Sequence, residues 1–169
     1  GIFIHNEKFS NPCRRLNSIF LLTWRIKIRQ LQYFKRLISK EAWGLDLLIQ
    51  PQYNRTSFRF VDFISVVSTG FEFGLNAGII ARRYLVDDFL SVYGLISVGP
   101  HFISGAPSRQ SPGFIFSDNI LVGSNIRVIK NVYLDLRFGL RHISNAGLLP
   151  VNGGINSFVL SGGIFINLD

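Results

Sequence analysis

Residues whose types and spacing suit nucleophilic chemistry lie close together near the C-terminal end of the sequence. His142 and Ser144 are two positions apart, so on a β-strand their side chains project from the same face. A serine hydroxyl becomes a useful nucleophile when a neighbouring base takes its proton, and a histidine in this position can act as that base. The pair alone is a weak signal, because most His-x-Ser pairs in proteins are incidental.

The longer string around this pair is far more specific. It reads Arg141-His142-Ile143-Ser144-Asn145-Ala146-Gly147, and Asn152, Gly154 and Ile155 follow it. This string, near the end of a small chain rich in alternating segments, resembles the lipid A 3-O-deacylase family (PagL-like acyloxyacyl hydrolases). The resemblance implies an eight-stranded outer-membrane barrel that removes an ester-linked acyl chain from lipid A with a Ser-His-acid triad.

The resemblance also implies roles for individual residues. Ser144 is the nucleophile and His142 the base. The residues offered as oxyanion stabilisers or as support for the site are Asn145, Ala146, Gly147 and Asn152. No metal and no cofactor is implied.

The third member of the triad departs from the family pattern. The acidic position falls on Asn156, and an asparagine cannot carry the charge that stabilises an imidazolium. We therefore expect the same fold with weaker catalysis, in which Asn156 holds the tautomer of His142 through a neutral hydrogen bond. Asp118 is a distant alternative for the acid, because it lies on a different predicted segment.

The composition favours a β protein with a large apolar surface. A length of 169 residues predicts one domain. Apolar residues make up 47% of the chain and charged residues 17%, whereas about a quarter of a typical soluble domain is charged. No stretch approaches the ~20 apolar residues of a transmembrane helix. The chain is therefore either a soluble β protein or a membrane barrel, in which lipid-facing and lumen-facing residues alternate.

The net charge of +8 predicts an anionic partner. Nucleic-acid binding favours clustered basic residues interleaved with exposed aromatic ones. Here arginines such as Arg82, Arg127 and Arg137 stand singly on alternating segments. We therefore expect a phosphorylated lipid surface, the lipopolysaccharide of the outer leaflet, and no nucleic acid. The single Cys13 excludes an internal disulfide.

Six segments with alternating apolar and polar residues follow one another from Gly44 onward. They cover residues 45–52, 71–80, 90–104, 119–128, 134–141 and 157–167. Short turns alternate with the longer connections 55–68, 105–112 and 145–153, as is usual in bacterial outer-membrane barrels. The sequence therefore predicts an all-β fold, a small antiparallel outer-membrane β-barrel with a polar lumen. Eight strands require two more, and residues 16–40 or a fold within 55–67 can supply them.

The N-terminal part is the least readable. We divide the chain into a basic segment, residues 1–43, and the barrel, residues 44–169. Residues 24–29 alternate as a strand does, whereas helical spacing gives Ile28, Leu31, Phe34 and Ile38 as one apolar face of an interfacial helix. A solvated basic leader is a third alternative, and the sequence does not decide among them.

The alternation also predicts where the candidate site faces. By strand parity His142 and Ser144 share a face with Leu140, and Asn156 shares one with Phe158. All three then lie on the lipid-facing surface at a rim of long loops. An esterase whose substrate is a membrane lipid needs its polar residues in that position.

The sequence therefore predicts an esterase of the bacterial outer membrane that acts on lipid A. Two alternatives stay open. One is a non-catalytic small outer-membrane barrel with a structural or lipid-binding role, and the other is a soluble basic barrel that binds nucleic acid. The oligomeric state is also open, a homodimer included.

Overall fold

The structure is a computed structural model that describes residues 25–59, 67–87 and 89–166. These residues form eight strands: β1 (Arg25–Gln30), β2 (Tyr33–Ser39), β3 (Trp43–Arg59), β4 (Val67–Val86), β5 (Leu90–Ile103), β6 (Gly113–Ile129), β7 (Val132–Ser144) and β8 (Ile155–Ile166). In these residues there is no helix of the length and apolarity needed to cross a membrane.

All eight strands belong to one antiparallel sheet. Its order is β1-β3-β4-β5-β6-β7-β8, and β2 also pairs with β3. β1 pairs with residues 52–57 and β2 with residues 44–49 of the same edge of β3, so they follow one another along it. The sheet therefore has seven positions. Of the three alternatives for the N-terminal segment, the structure supports the strand for residues 25–30 and 33–39. Residues 1–24 lie outside the described residues.

The sheet curls until its two ends meet. The ring of Phe34 on β2 packs edge-on against Phe165 on β8, with ring centroids 5.4 Å apart. Arg82 on β4 reaches the same ring, with its guanidinium carbon 5.6 Å from the centroid. Side chains from the first, third and last positions of the sheet therefore meet in its interior, as the predicted barrel requires.

The connections differ between the two rims as predicted. The connections from β2 to β3, from β4 to β5 and from β6 to β7 are short and lie at one rim, and residues 104–112 and 145–154 are long connections at the other. The prediction was wrong for residues 55–68, because β3 continues to Arg59 and β4 begins at Val67. Thr56 and Phe58 are both buried, so the alternation of β3 runs on past the predicted strand end.

The two faces of the sheet follow the predicted parity. The outward face is apolar, with large exposed side chains that include Phe73, Ile96, Ile120, Phe138, Phe158 and Leu160. The inward face mixes apolar side chains with buried charges and amides. Unpaired, such charges would cost several kcal/mol each. They are paired, because Asp135 accepts from Arg137 Nε and Asn125 Nδ2, both at 2.8 Å.

Candidate active site

Strand β7 places the predicted nucleophile and base on the outer surface at the long-loop rim. His142 and Ser144 are half-buried and face outward, whereas Ile143 between them is 3% exposed and faces the lumen. Ser144 is the last residue of the strand, so its hydroxyl lies where the sheet ends and the loop begins. The parity prediction for these two residues is confirmed.

The third predicted residue contacts the histidine. Asn156 is the ladder partner of His142 on β8, and it faces outward as predicted. His142 Nδ1 donates a hydrogen bond to Asn156 Oδ1 at 2.6 Å. An amide oxygen only accepts, so this contact places the proton of a neutral imidazole on Nδ1 and leaves Nε2 as an acceptor. Within the described residues, Ser144 Oγ has no hydrogen bond of its own.

The loop after β7 is held together by Asn145. This residue is fully buried, and its Nδ2 donates to the carbonyl of Val151 at 3.0 Å. Its backbone N–H donates to Asn152 Oδ1 at 2.9 Å, and its Oδ1 accepts from the N–H of Gly147 at 3.0 Å. The predicted oxyanion candidates Asn145 and Gly147 therefore use these donors to build the loop.

Two other donors at this loop remain open. Ala146 has a positive φ of 52°, and its N–H makes no hydrogen bond within the described residues. Asn152 is exposed, and only its Oδ1 is engaged, which leaves its amide hydrogens for a ligand. The donor set predicted from the sequence is thus divided, with Asn145 and Gly147 shaping the loop and Ala146 and Asn152 carrying the open donors.

Gly154 determines how closely the loop approaches the base. Its φ is +59°, a backbone conformation that favours glycine. A Cβ built on it would lie 2.8 Å from His142 Cε1 and 3.4 Å from Nε2. The sequence contained this glycine within the quoted string, but only the structure shows that its lack of a side chain makes room for the imidazole.

The neighbouring long loop supports the site from the side. The N–H of Gly153 donates to the carbonyl of Arg109, and Arg109 Nη2 donates back to the carbonyl of Gly153, both at 2.7 Å. Gln110 forms an isolated bridge with Asn152. Sequence reasoning missed this support, because loop-to-loop contacts carry no periodic signal.

An apolar groove lies on the outer surface near the site. It has a volume of about 610 Å³ and is lined mainly by Tyr53, Phe73, Leu75, Phe102 and Phe114. The ring of Phe114 packs edge-on against Phe116 with centroids 5.2 Å apart, and Phe116 is the ladder partner of Ser144. Aromatic side chains therefore run from the groove to the candidate nucleophile.

The comparison with known families agrees with this geometry. The family model described as lipid A 3-O-deacylase (PagL) matches residues 19–164. The chain belongs to the PagL family. A solved structure described as the outer membrane enzyme PagL shares the fold, with a TM-score of 0.63 and 18% sequence identity over 86% of this chain and 92% of that one. Among curated proteins, no sequence matches the chain.

Membership of the PagL family confirms the family resemblance and the outer-membrane β-barrel fold. With the apolar outward face, it confirms the predicted location in the outer membrane. The family model spans β1 to nearly the end of β8, so it includes His142, Ser144 and Asn156. In the described residues, no group of three His, Cys, Asp or Glu side chains is arranged to hold a metal ion.

The structure also moves Asp118, the distant alternative for the acid, next to the site. Asp118 on β6 is the ladder partner of His142, on the side opposite Asn156. Directly opposite residues of an antiparallel pair have their Cβ atoms about 4.5–5.5 Å apart. His142 of this PagL family member is therefore flanked by an amide on β8 and a carboxylate on β6. His101, another histidine of the described chain, lies buried in the lumen, with its Nδ1 2.6 Å from Glu72 Oε1.

Proposed function

We propose that this PagL family member is an esterase that hydrolyses an acyl ester of lipid A, by 3-O-deacylation, with Ser144 as nucleophile. The observation that carries the proposal is the hydrogen bond between His142 Nδ1 and Asn156 Oδ1. It orients a basic Nε2 on the same outward face as the serine hydroxyl. Acyl transfer requires Nε2 to accept the proton of Ser144 Oγ, and in the described residues neither of these two atoms is engaged by another hydrogen-bond partner.

The proposed reaction has two halves. In the first half, Ser144 Oγ attacks the ester carbonyl while His142 Nε2 takes the hydroxyl proton. The tetrahedral intermediate expels the sugar hydroxyl, which receives that proton from His142, and an acyl-serine remains. In the second half, water gives a proton to His142 as its oxygen attacks the acyl-serine. The bond between the acyl carbon and Ser144 Oγ then breaks, Oγ takes the proton back from His142, and the fatty acid is released.

The negative oxygen of the intermediate needs donors aimed at it. The N–H of Ala146 and the side-chain amide of Asn152 are the open donors next to Ser144. Fixed donors of this kind are worth more at a site shielded from water, because nothing has to reorganise as the charge develops. Asn145 and Gly147 support them by holding the loop in shape.

The position of the site on the outer surface fits a lipid substrate. Ser144 and His142 lie at the rim of the apolar outward face, where an acyl ester just below a sugar headgroup can reach them from the membrane. The apolar groove beside Phe114 offers a place for the acyl chain. A soluble ester would have no need of either feature.

The test is to incubate the purified protein with lipid A in detergent and to follow the loss of one acyl chain by mass spectrometry. Ser144→Ala should abolish deacylation, so that lipid A keeps all of its acyl chains, while the barrel keeps its heat-modifiable migration in detergent gels. Ser124→Ala is the matched control, because Ser124 also faces outward on a strand but lies far along the barrel from His142. Full activity in Ser144→Ala would refute the proposed nucleophile. No acyl loss from the unchanged protein would instead favour a non-catalytic lipid-binding barrel.

A further inference from the structure

We propose that Asp118 supplies the negative charge that the triad lacks at Asn156, acting through His142 as a positioning residue. This inference rests on the proposed function, because it assumes that His142 is the base. In a serine triad the acid has two tasks, to fix the imidazole tautomer and to stabilise the imidazolium. Here the two tasks are divided between residues on opposite sides of the ring.

The first task falls to Asn156. Its Oδ1 lies 2.6 Å from His142 Nδ1, so the ring is held in the tautomer that leaves Nε2 free. An amide completes this task as well as a carboxylate does, because it needs only an acceptor. It adds no net charge when His142 takes the proton from Ser144.

The second task falls to Asp118 by its register. The β6–β7 ladder places Asp118 directly opposite His142, and the β7–β8 ladder places Asn156 opposite it from the other side. The three residues therefore form one outward-facing row across three strands. A carboxylate directly opposite in the ladder can stabilise the positive charge that develops on the imidazole during attack, without a direct hydrogen bond to the ring.

The composition of the outward face singles Asp118 out. Among the described residues of β3 to β8, it is the only carboxylate that faces outward. The other outward neighbours of His142 are Leu140 and Ser144 on its own strand, and Arg141 points inward to Glu72. A carboxylate on a lipid-facing surface is unfavourable, so the position of this one outward carboxylate, directly beside the candidate base, calls for a reason.

The test begins with the isosteric change Asp118→Asn, assayed on lipid A as above. We expect kcat to fall about 10- to 100-fold with KM nearly unchanged, because the charge acts on the protonated base and not on the bound lipid. Asp118→Glu should retain more activity than Asp118→Asn. Asp87→Asn is the control, because it removes an exposed carboxylate from the turn at the opposite rim, at a φ of 36° that asparagine tolerates.

A charge swap separates this role from a structural one. In the double variant Asp118→Asn with Asn156→Glu, the carboxylate moves to the other side of His142, and most of the lost kcat should return. If Asp118 only anchored β6 at the membrane surface, a carboxylate at position 156 on β8 would not restore the activity lost in Asp118→Asn.

The outcomes are distinct. An unchanged kcat in Asp118→Asn would overturn this inference, and so would a double variant as slow as Asp118→Asn alone. In either case an inactive Ser144→Ala would still support the proposed function. Activity in Ser144→Ala would overturn both.

Discussion

Arg141 and Glu72 form an ion pair on the inner face of the sheet, at the residue next to His142 in the chain. Arg141 Nη2 donates to Glu72 Oε1, and Arg141 Nη1 donates to Oε2 at 3.2 Å. Arg141 Nε donates to Ser117 Oγ at 2.8 Å, which ties β7 to β6 from inside. The strand that carries the candidate base outward is therefore held by charges on its inward side.

This pair predicts a large loss of stability when one partner is removed. Glu72→Gln keeps the shape of the side chain but leaves the Arg141 guanidinium buried without its anion. We expect the free energy of unfolding to fall by about 3–5 kcal/mol. Urea unfolding in detergent micelles, followed by intrinsic fluorescence, measures it. Asp87→Asn, at an exposed turn, is the control, and an unchanged unfolding midpoint in Glu72→Gln would show that the pair contributes little.

The outward face predicts a different penalty. Leu136 faces outward near the middle of β7, so Leu136→Arg puts a charge against the hydrocarbon and should cost about 2–4 kcal/mol. Leu148→Arg, at an exposed loop position, is the matched control and should cost little. Unfolding of the two variants in lipid vesicles gives the comparison. Equal tolerance at both positions would mean that Leu136 does not face lipid.

The faces of the strands were predictable because the alternation of a strand is fixed at two residues. Phe158 and Leu160 are exposed and Val159 is buried, as parity requires. His142, Ser144 and Asn156 followed from the same count. These predictions needed only the chain itself, because parity does not depend on which strands are neighbours.

The register between strands was not predictable in this way. Near the turn after β6 the ladder with β7 shifts by one residue, between Arg127 and Ile129. Without that shift Asp118 would lie opposite Ile143 and not opposite His142. A one-residue bulge leaves no clear trace in a pattern of alternating side chains. From the sequence alone, Asp118 was therefore only a distant alternative for the acidic member of the triad.

Replacing Gly154 by alanine should lower the activity of the protein without unfolding the barrel. A methyl group there would meet His142 Cε1 at 2.8 Å, so Gly154→Ala should displace the imidazole from its position beside Asn156. A displacement of about 1 Å can lower kcat about 100-fold. Gly113→Ala is the control, because Gly113 also has a positive φ, of 109°, and a Cβ there meets only Leu149 at an ordinary 3.6 Å. Similar activities in the two variants would exclude contact with His142 as the cause.

Asn156→Glu tests whether the residue on β8 occupies the acid position. A glutamate there would accept the Nδ1 proton of His142 and place a negative charge against the imidazolium that forms during attack. Asp118 already provides a charge on the other side, so we expect a rise in kcat of about 10-fold or less in the otherwise unchanged protein. The gain should be larger in the Asp118→Asn background, where no other outward carboxylate faces the ring. Asn156→Gln is the control for side-chain length, and it should not raise kcat because it brings no charge. If Asn156→Glu leaves kcat unchanged in both backgrounds, the contact between His142 and Asn156 does not serve catalysis.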